Sequence, residues 1–183
     1  GSGKTTLLNV LGSQIPFDQR LVVIEDSAEL QLPQPNQVNL ETRKANLEGK
    51  GEIPIKALVR ASLRMRPDRI VVGECRSGEA LDMLQAMNTG HEGSMGTLHA
   101  NTPTDALQRL MTMITMSGVK LDQESLKQLI GRSLHVIVQA NRLPDGQRKI
   151  ISITEVVDVE GDDLITNEVF AYQRHGMDAE GKI

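Results

Sequence analysis

At 183 residues, 39% of them hydrophobic and 24% charged, the chain has room for one domain with a sizeable core. Its only aromatic residues are Phe17, Phe170 and Tyr172, and its formal net charge is −4. That balance argues against stacking platforms for single-stranded nucleic acid and against a broad attraction to DNA, RNA or anionic lipid. A single cysteine, Cys75, excludes an intramolecular disulfide and fits a reducing compartment. No signal peptide is visible, and no apolar run approaches the roughly 20 residues that span a bilayer.

The chain opens on Gly1-Ser2-Gly3-Lys4-Thr5-Thr6, followed at once by Leu7, Leu8, Val10 and Leu11. A Gly-Lys-Thr that starts a helix is a phosphate holder. Glycines let backbone N–H groups close around oxygens, the positive helix end faces the anion, Lys4 reaches the β- and γ-phosphates, and the Thr5 hydroxyl holds Mg²⁺. This is the P-loop pattern G-x-x-x-x-G-K-[ST], met three residues after its first glycine. The reading therefore expects a longer parent chain. It also expects the strand that precedes a P-loop to be missing from the middle of the sheet, leaving a gap flanked by aliphatic surface.

A helix is expected over residues 4–13, and the apolar run Leu21-Val22-Val23-Ile24 reads as a strand buried on both faces of a parallel sheet. It delivers Glu25-Asp26 and then Glu29 to the C-terminal edge, where open α/β sheets bind ligands. Residues 32–51 read as an excursion with an edge strand, Val38-Asn39-Leu40-Glu41, and a loop with glycines flanking Lys50. Pro54 starts a helix with Ile55, Leu58, Val59 and Leu63 on one face. Of Arg60, Arg64 and Arg66, two are expected on a solvated face and one within reach of a phosphate.

Arg69-Ile70-Val71-Val72 is a second buried strand and ends in Gly73-Glu74, the Walker B arrangement with glycine where an Mg²⁺-binding Asp usually stands. Glu74 is left as the carboxylate able to align or deprotonate an attacking water. Cys75 reads as a small packed residue. A helix over residues 79–88 follows, and residues 93–101 read as a third strand running to His99. Because three successive strands then end in Glu25, Glu74 and His99, the imidazole belongs with the site, whereas His91, His135 and His175 read as structural. Thr102-Pro103-Thr104-Asp105 caps a helix carrying Leu107, Leu110, Met111 and Ile114, and Asp122 caps another through Leu126, Leu129 and Ile130. Residues 134–139, 148–159 and 163–172 read as an antiparallel meander.

With those residues in place, the chain resembles the motor domain of the type II and type IV secretion ATPases. The likeness rests on Gly1 to Thr6, on Ile24-Glu25-Asp26-Ser27-Ala28-Glu29, on Arg66 to Glu74, and on Thr89-Gly90-His91-Glu92-Gly93 running to Asn101. They occur in the family's order of Walker A, aspartate, Walker B and histidine boxes. The wording of residues 79–91 resembles most closely the tight-adherence (Tad or Flp) pilus assembly branch.

The resemblance implies an α/β, RecA-like P-loop NTPase core of mostly parallel sheet with flanking helices, plus the C-terminal antiparallel strands. The divisions expected are 1–133 for the motor core, 134–175 for those strands and 176–183 for a tail. It further implies a cytoplasmic homohexamer docked on an inner-membrane platform protein, with no direct nucleic-acid contact, hydrolysing ATP with Mg²⁺. The phosphates fall to Gly1, Ser2, Gly3, Lys4, Thr5 and Thr6, the metal to Thr5 and indirectly Glu29, and the chemistry to Glu74, Glu25 and His99. The alternatives are a conjugative DNA-transfer ATPase, a P-loop small-molecule kinase whose lid would come from residues 36–52, and a nucleotide-binding scaffold without turnover.

Overall fold

The computed structural model describes residues 1–161 and 163–173. His175, the tail 176–183 and the Asp162 position of the last turn fall outside that range. In chain order the elements are α1 (Lys4–Gly12), β1 (Leu21–Glu25), β2 (Gln37–Glu41), α2 (Ile55–Ser62), β3 (Arg69–Val72), α3 (Glu79–Asn88), β4 (Met95–Gly96), α4 (Pro103–Met116), α5 (Gln123–Ser133), β5 (Val136–Arg142), β6 (Arg148–Glu160) and β7 (Asp163–Ala171). β1 to β4 form a parallel sheet in the order β2-β1-β3-β4, and β5 to β7 form an antiparallel sheet in sequence order.

The unbroken apolar runs of β1 and β3 are explained by what covers each face. Val22, Ile24, Ile70 and Val72 point to one side, against Ile55 and Val59 of α2 and Met83 and Ala86 of α3. Leu21, Val23 and Val71 point to the other, against Leu8 of α1, Ile15 and Leu32. With helices on both faces no position is left for a polar residue, so the strand pattern loses its alternation. Each such side chain contributes about 1.5–3 kcal/mol by leaving water. α3 is buried nearly all round because a second cluster, with α4 and α5, packs on its other side. Two of its carboxylates are buried: Asp82 meets Arg60 Nε at 2.8 Å, and Glu79 accepts backbone N–H groups at the start of the helix.

The third strand departs from expectation. β4 is two residues, not nine, and His99 lies beyond it. It pairs with β3 alone, and no described strand stands on its far side. A ladder needs a partner. Past Gly96 the backbone keeps one β3-side hydrogen bond, Cys75 N–H donating to Thr97 O at 2.7 Å, and then leaves the sheet. The expected gap inside the sheet is accordingly an open edge at β4. Residues 134 and 135 likewise precede the ladder, which runs from Val136 to Arg142.

The meander is present, with register shifts at Gln139/Ala140, Ile153/Thr154 and Val156/Asp158. It is fastened to the parallel sheet's functional edge by Gln139 Nε2 donating to Ala100 O at 3.0 Å, next to His99.

Candidate nucleotide-phosphate site

α1 begins with backbone N–H donors that have no partner within the helix. Its N-cap, Gly3, sits at φ 94°, a left-handed backbone that glycine alone adopts without strain, and no side chain caps the first turn. A Cβ at Gly3 would also stand 3.3 Å from Arg148 Cδ. The first turn holds no acidic residue, so its N–H groups and the positive end of the helix open into a cleft of about 930 Å³. Ten residues expected at the site from the sequence line that cleft: Gly1, Ser2, Gly3, Lys4, Thr5, Thr6, Glu25, Glu29, Glu74 and His99.

Three of these form one hydrogen-bonded chain across 95 residues of sequence. Lys4 Nζ lies 3.3 Å from His99 Nδ1, and His99 Nε2 lies 2.8 Å from Glu74 Oε1. An ammonium has only donors, so this geometry assigns Nδ1 as acceptor and puts the imidazole proton on Nε2, donating to Glu74. Thr97 beneath them donates its hydroxyl to Gly73 O at 2.6 Å, holding the histidine segment to the β3 tip.

The β1 tip is arranged differently. Glu25 is buried, and its Oε1 accepts the backbone N–H groups of Glu29 and Leu30 at 3.1 and 3.0 Å. Its Cγ fills the space beside Gly73, where a Cβ would come within 3.1 Å. Glu25 therefore shapes the loop that carries Glu29, and Glu29 Oε2 accepts the Thr5 hydroxyl at 3.4 Å. Among the described residues no group of three or more His, Cys, Asp or Glu converges as a metal site. The donor set still fits Mg²⁺, which takes most of its octahedron from phosphate and water and needs one or two protein oxygens. The Thr5 hydroxyl, with Glu29 beside it, would supply them.

The arginines are where sequence reasoning went astray. None of Arg60, Arg64 and Arg66 lines the cleft, and Arg60 is engaged by Asp82. Those that do are Arg43, Arg76 and Arg148. Arg43 Nε donates to Gly51 O at 2.6 Å, closing the turn of the 32–51 excursion. Arg148, at the start of β6, donates Nε to Gly1 O at 3.0 Å. Arg76 binds Glu74 Oε2 through Nη2 at 2.6 Å and Asp26 Oδ2 through Nη1 at 3.0 Å. The Glu74 hydrogen bond and charge raise its guanidinium further above the usual arginine value. Arg76 carried no sequence signal beyond its place after the Walker B strand.

The remaining assignments follow the sequence reading. Cys75 is buried, and that burial first, then the charges of Glu79 and Glu74, pushes its thiol up to about 12. A thiol so held stays protonated and inert at neutral pH. His91 caps the end of α3 through Nδ1 and Ala86 O at 3.2 Å, and neither it nor His135 lines the cleft.

Comparison with known proteins agrees with this geometry. Residues 1–178 match the family described as type II/IV secretion system protein. A Mycobacterium tuberculosis protein named for conjugal transfer is 43% identical over 161 residues, 88% of this chain and 45% of that protein. The conjugal transfer protein TrbB of Rhizobium radiobacter is 40% identical over 164 residues, 88% of this chain and 46% of its own length. Among solved structures, the VirB11 ATPase from the Brucella suis type IV secretion system, in complex with sulphate, superposes with TM-score 0.74. It is 37% identical, over 84% of this chain and 45% of that one. The chain thus spans under half the length of the relatives it matches. Their names point to conjugal transfer and type IV secretion, and the tight-adherence branch expected from residues 79–91 is not supported.

Proposed function

The chain belongs to the type II/IV secretion system protein family, and on that premise we propose that it is the ATP-hydrolysing domain of a motor for type IV secretion or conjugal transfer. The observation that carries this reading is the Lys4–His99–Glu74 chain at an uncapped helix N-terminus. An ammonium, an imidazole and a carboxylate from distant parts of the sequence converge beside open N–H donors. That is what a γ-phosphate and an attacking water require.

In this mechanism the first-turn N–H groups and Lys4 hold the phosphates, and Gly3 gives the backbone its close approach. Thr5 would hold Mg²⁺ directly and Glu29 through water. The ion, when bound, neutralises charge developing on the β- and γ-oxygens. Glu74 aligns water against the γ-phosphorus and takes its proton, giving ADP and inorganic phosphate. His99, whose Nδ1 lies 3.3 Å from Lys4 Nζ, contacts the terminal phosphate beside Lys4. Glu25 acts as a positioning residue through the Glu29 loop rather than on water itself.

The full-length protein is proposed to work as a ring of identical subunits on membrane machinery, as family membership supports. Direct DNA contact is not part of the proposal. Names of relatives favour the conjugal-transfer and type IV secretion branch. The test is a product assay on the full-length protein with ATP and Mg²⁺. Inorganic phosphate should appear with ADP in equal amounts and with no added acceptor. Phosphate that appears only on a small-molecule acceptor would make the protein a kinase instead.

A further inference from the structure

Arg76 has a pinned main chain and an exposed, ion-paired side chain. Its N–H and that of Ser77 both donate to Glu79 Oε1, the latter at 2.8 Å, and Glu79 is buried. The guanidinium, in contrast, is 62% exposed and borders the phosphate cleft. Its Nε and Nη2 meet Glu74 Oε2 at 2.8 and 2.6 Å. Its Nη1 meets Asp26, which the Thr42 hydroxyl steadies at 3.2 Å. The other Glu74 oxygen accepts His99 Nε2. Both oxygens of the carboxylate that must receive water's proton are thus already accepting hydrogen bonds.

We propose that Arg76 is a phosphate-reading cation supplied from within the subunit: it holds Glu74 until the terminal phosphate of a nucleoside triphosphate draws the guanidinium away, freeing a Glu74 oxygen for water. This deepens the ATPase reading above and rests on it. The exchange is physically cheap in one direction. An ion pair whose arginine is this exposed adds little net stability, whereas a terminal phosphate offers three oxygens and more charge to a bidentate fork. A diphosphate ends one phosphoryl group short and leaves Arg76 on Glu74. Hydrolytic competence is thereby tied to the presence of the γ-phosphate, and Asp26 keeps the guanidinium at the cleft rim between the two positions.

The test measures affinity for ADP and for a non-hydrolysable ATP analogue on the full-length protein and four variants: Arg76→Ala, Arg76→Lys, Glu74→Gln and the Arg76→Ala/Glu74→Gln double. Arg76→Ala should cut the triphosphate-over-diphosphate preference about tenfold while ADP affinity stays within about twofold. Arg76→Lys, which keeps the charge without the fork, should recover part of that preference. Glu74→Gln should raise analogue affinity several-fold by releasing Arg76, and the gain should vanish in the double variant. Mere removal of a negative charge from an anion site predicts the opposite: an equal or larger gain once Arg76 is gone. That result, or an unchanged preference in Arg76→Ala, overturns the proposal. A wild-type protein that binds neither nucleotide overturns the ATPase reading beneath it.

Discussion

The two sheets of this molecule are built from similar aliphatic and β-branched residues, yet they are stabilised and used in different ways. β1 and β3 have helices on both faces, and all their residues except Arg69 are buried. In the antiparallel sheet, Val136, Val157, Val169 and Phe170 are exposed, while Ser152, Thr154 and Gln139 are buried. The first sheet converges its strand tips on one cleft; the second braces that cleft through Gln139 and Arg148. The contrast teaches that the carboxylates Glu25 and Glu74 stand at the ends of doubly covered strands, whereas Lys4 and His99 reach the same cleft from α1 and from beyond β4, and that the sheet covered on one face accommodates bulges.

The sharpest way to break this comparison is to remove one cation contributed by each region. Lys4→Ala should lower ATP turnover by about 10³-fold or more, since it removes a donor aimed at the transferred phosphate. Arg148→Ala should change turnover by less than about tenfold, because its recorded contact is an exposed hydrogen bond to the Gly1 carbonyl. Phosphate release by the full-length variants measures both, and equal losses would erase the division of labour.

A second comparison is of stability. Ile70→Ala, at a fully buried β3 position, should cost about 2–5 kcal/mol through lost burial and the cavity left behind. Val169→Ala, at a position 63% exposed on β7, should stay within about 0.5 kcal/mol. Denaturant midpoints decide it, and a comparable loss at Val169 would mean that the antiparallel sheet bears as much of the core as the parallel one.

A smaller effect comes from Cys75, which packs beside the β3 tip. Its thiol stays protonated in the folded protein up to about 12 but ionises near 9 when unfolded. The unfolded chain therefore sheds the proton first, so the stability due to this group is full below pH 9 and declines as pH rises toward 12. Between pH 9 and 10 the loss should reach about 1 kcal/mol in urea unfolding and be absent in Cys75→Ala. A profile identical in the two proteins would remove the thiol from the account.

What the sequence made legible follows the same division. β1 and β3 could be read residue by residue because double burial writes an unbroken apolar run, and the P-loop helix because Gly3-Lys4-Thr5 has few other uses. β4 was overread: the small residues of 93–101 allow the close packing of a strand, but pairing depends on a neighbour that composition does not report. Arg76 was missed because its partners Asp26 and Glu74 are fixed by the sheet, 50 and 2 residues away in sequence, and an arginine on the page looks the same whether it meets a carboxylate or water. Arg60 of α2 misled for the same reason, since Asp82 claims it.

The account stands most directly on Glu74, and the measurement is ATP binding and turnover by Glu74→Gln in the full-length protein. The glutamine keeps the shape of the side chain and a carbonyl acceptor but cannot take a proton from water. Binding should be retained or tightened while phosphate release falls by about 10²-fold or more. Turnover near that of the wild type would contradict the account and detach the Lys4–His99–Glu74 chain from hydrolysis.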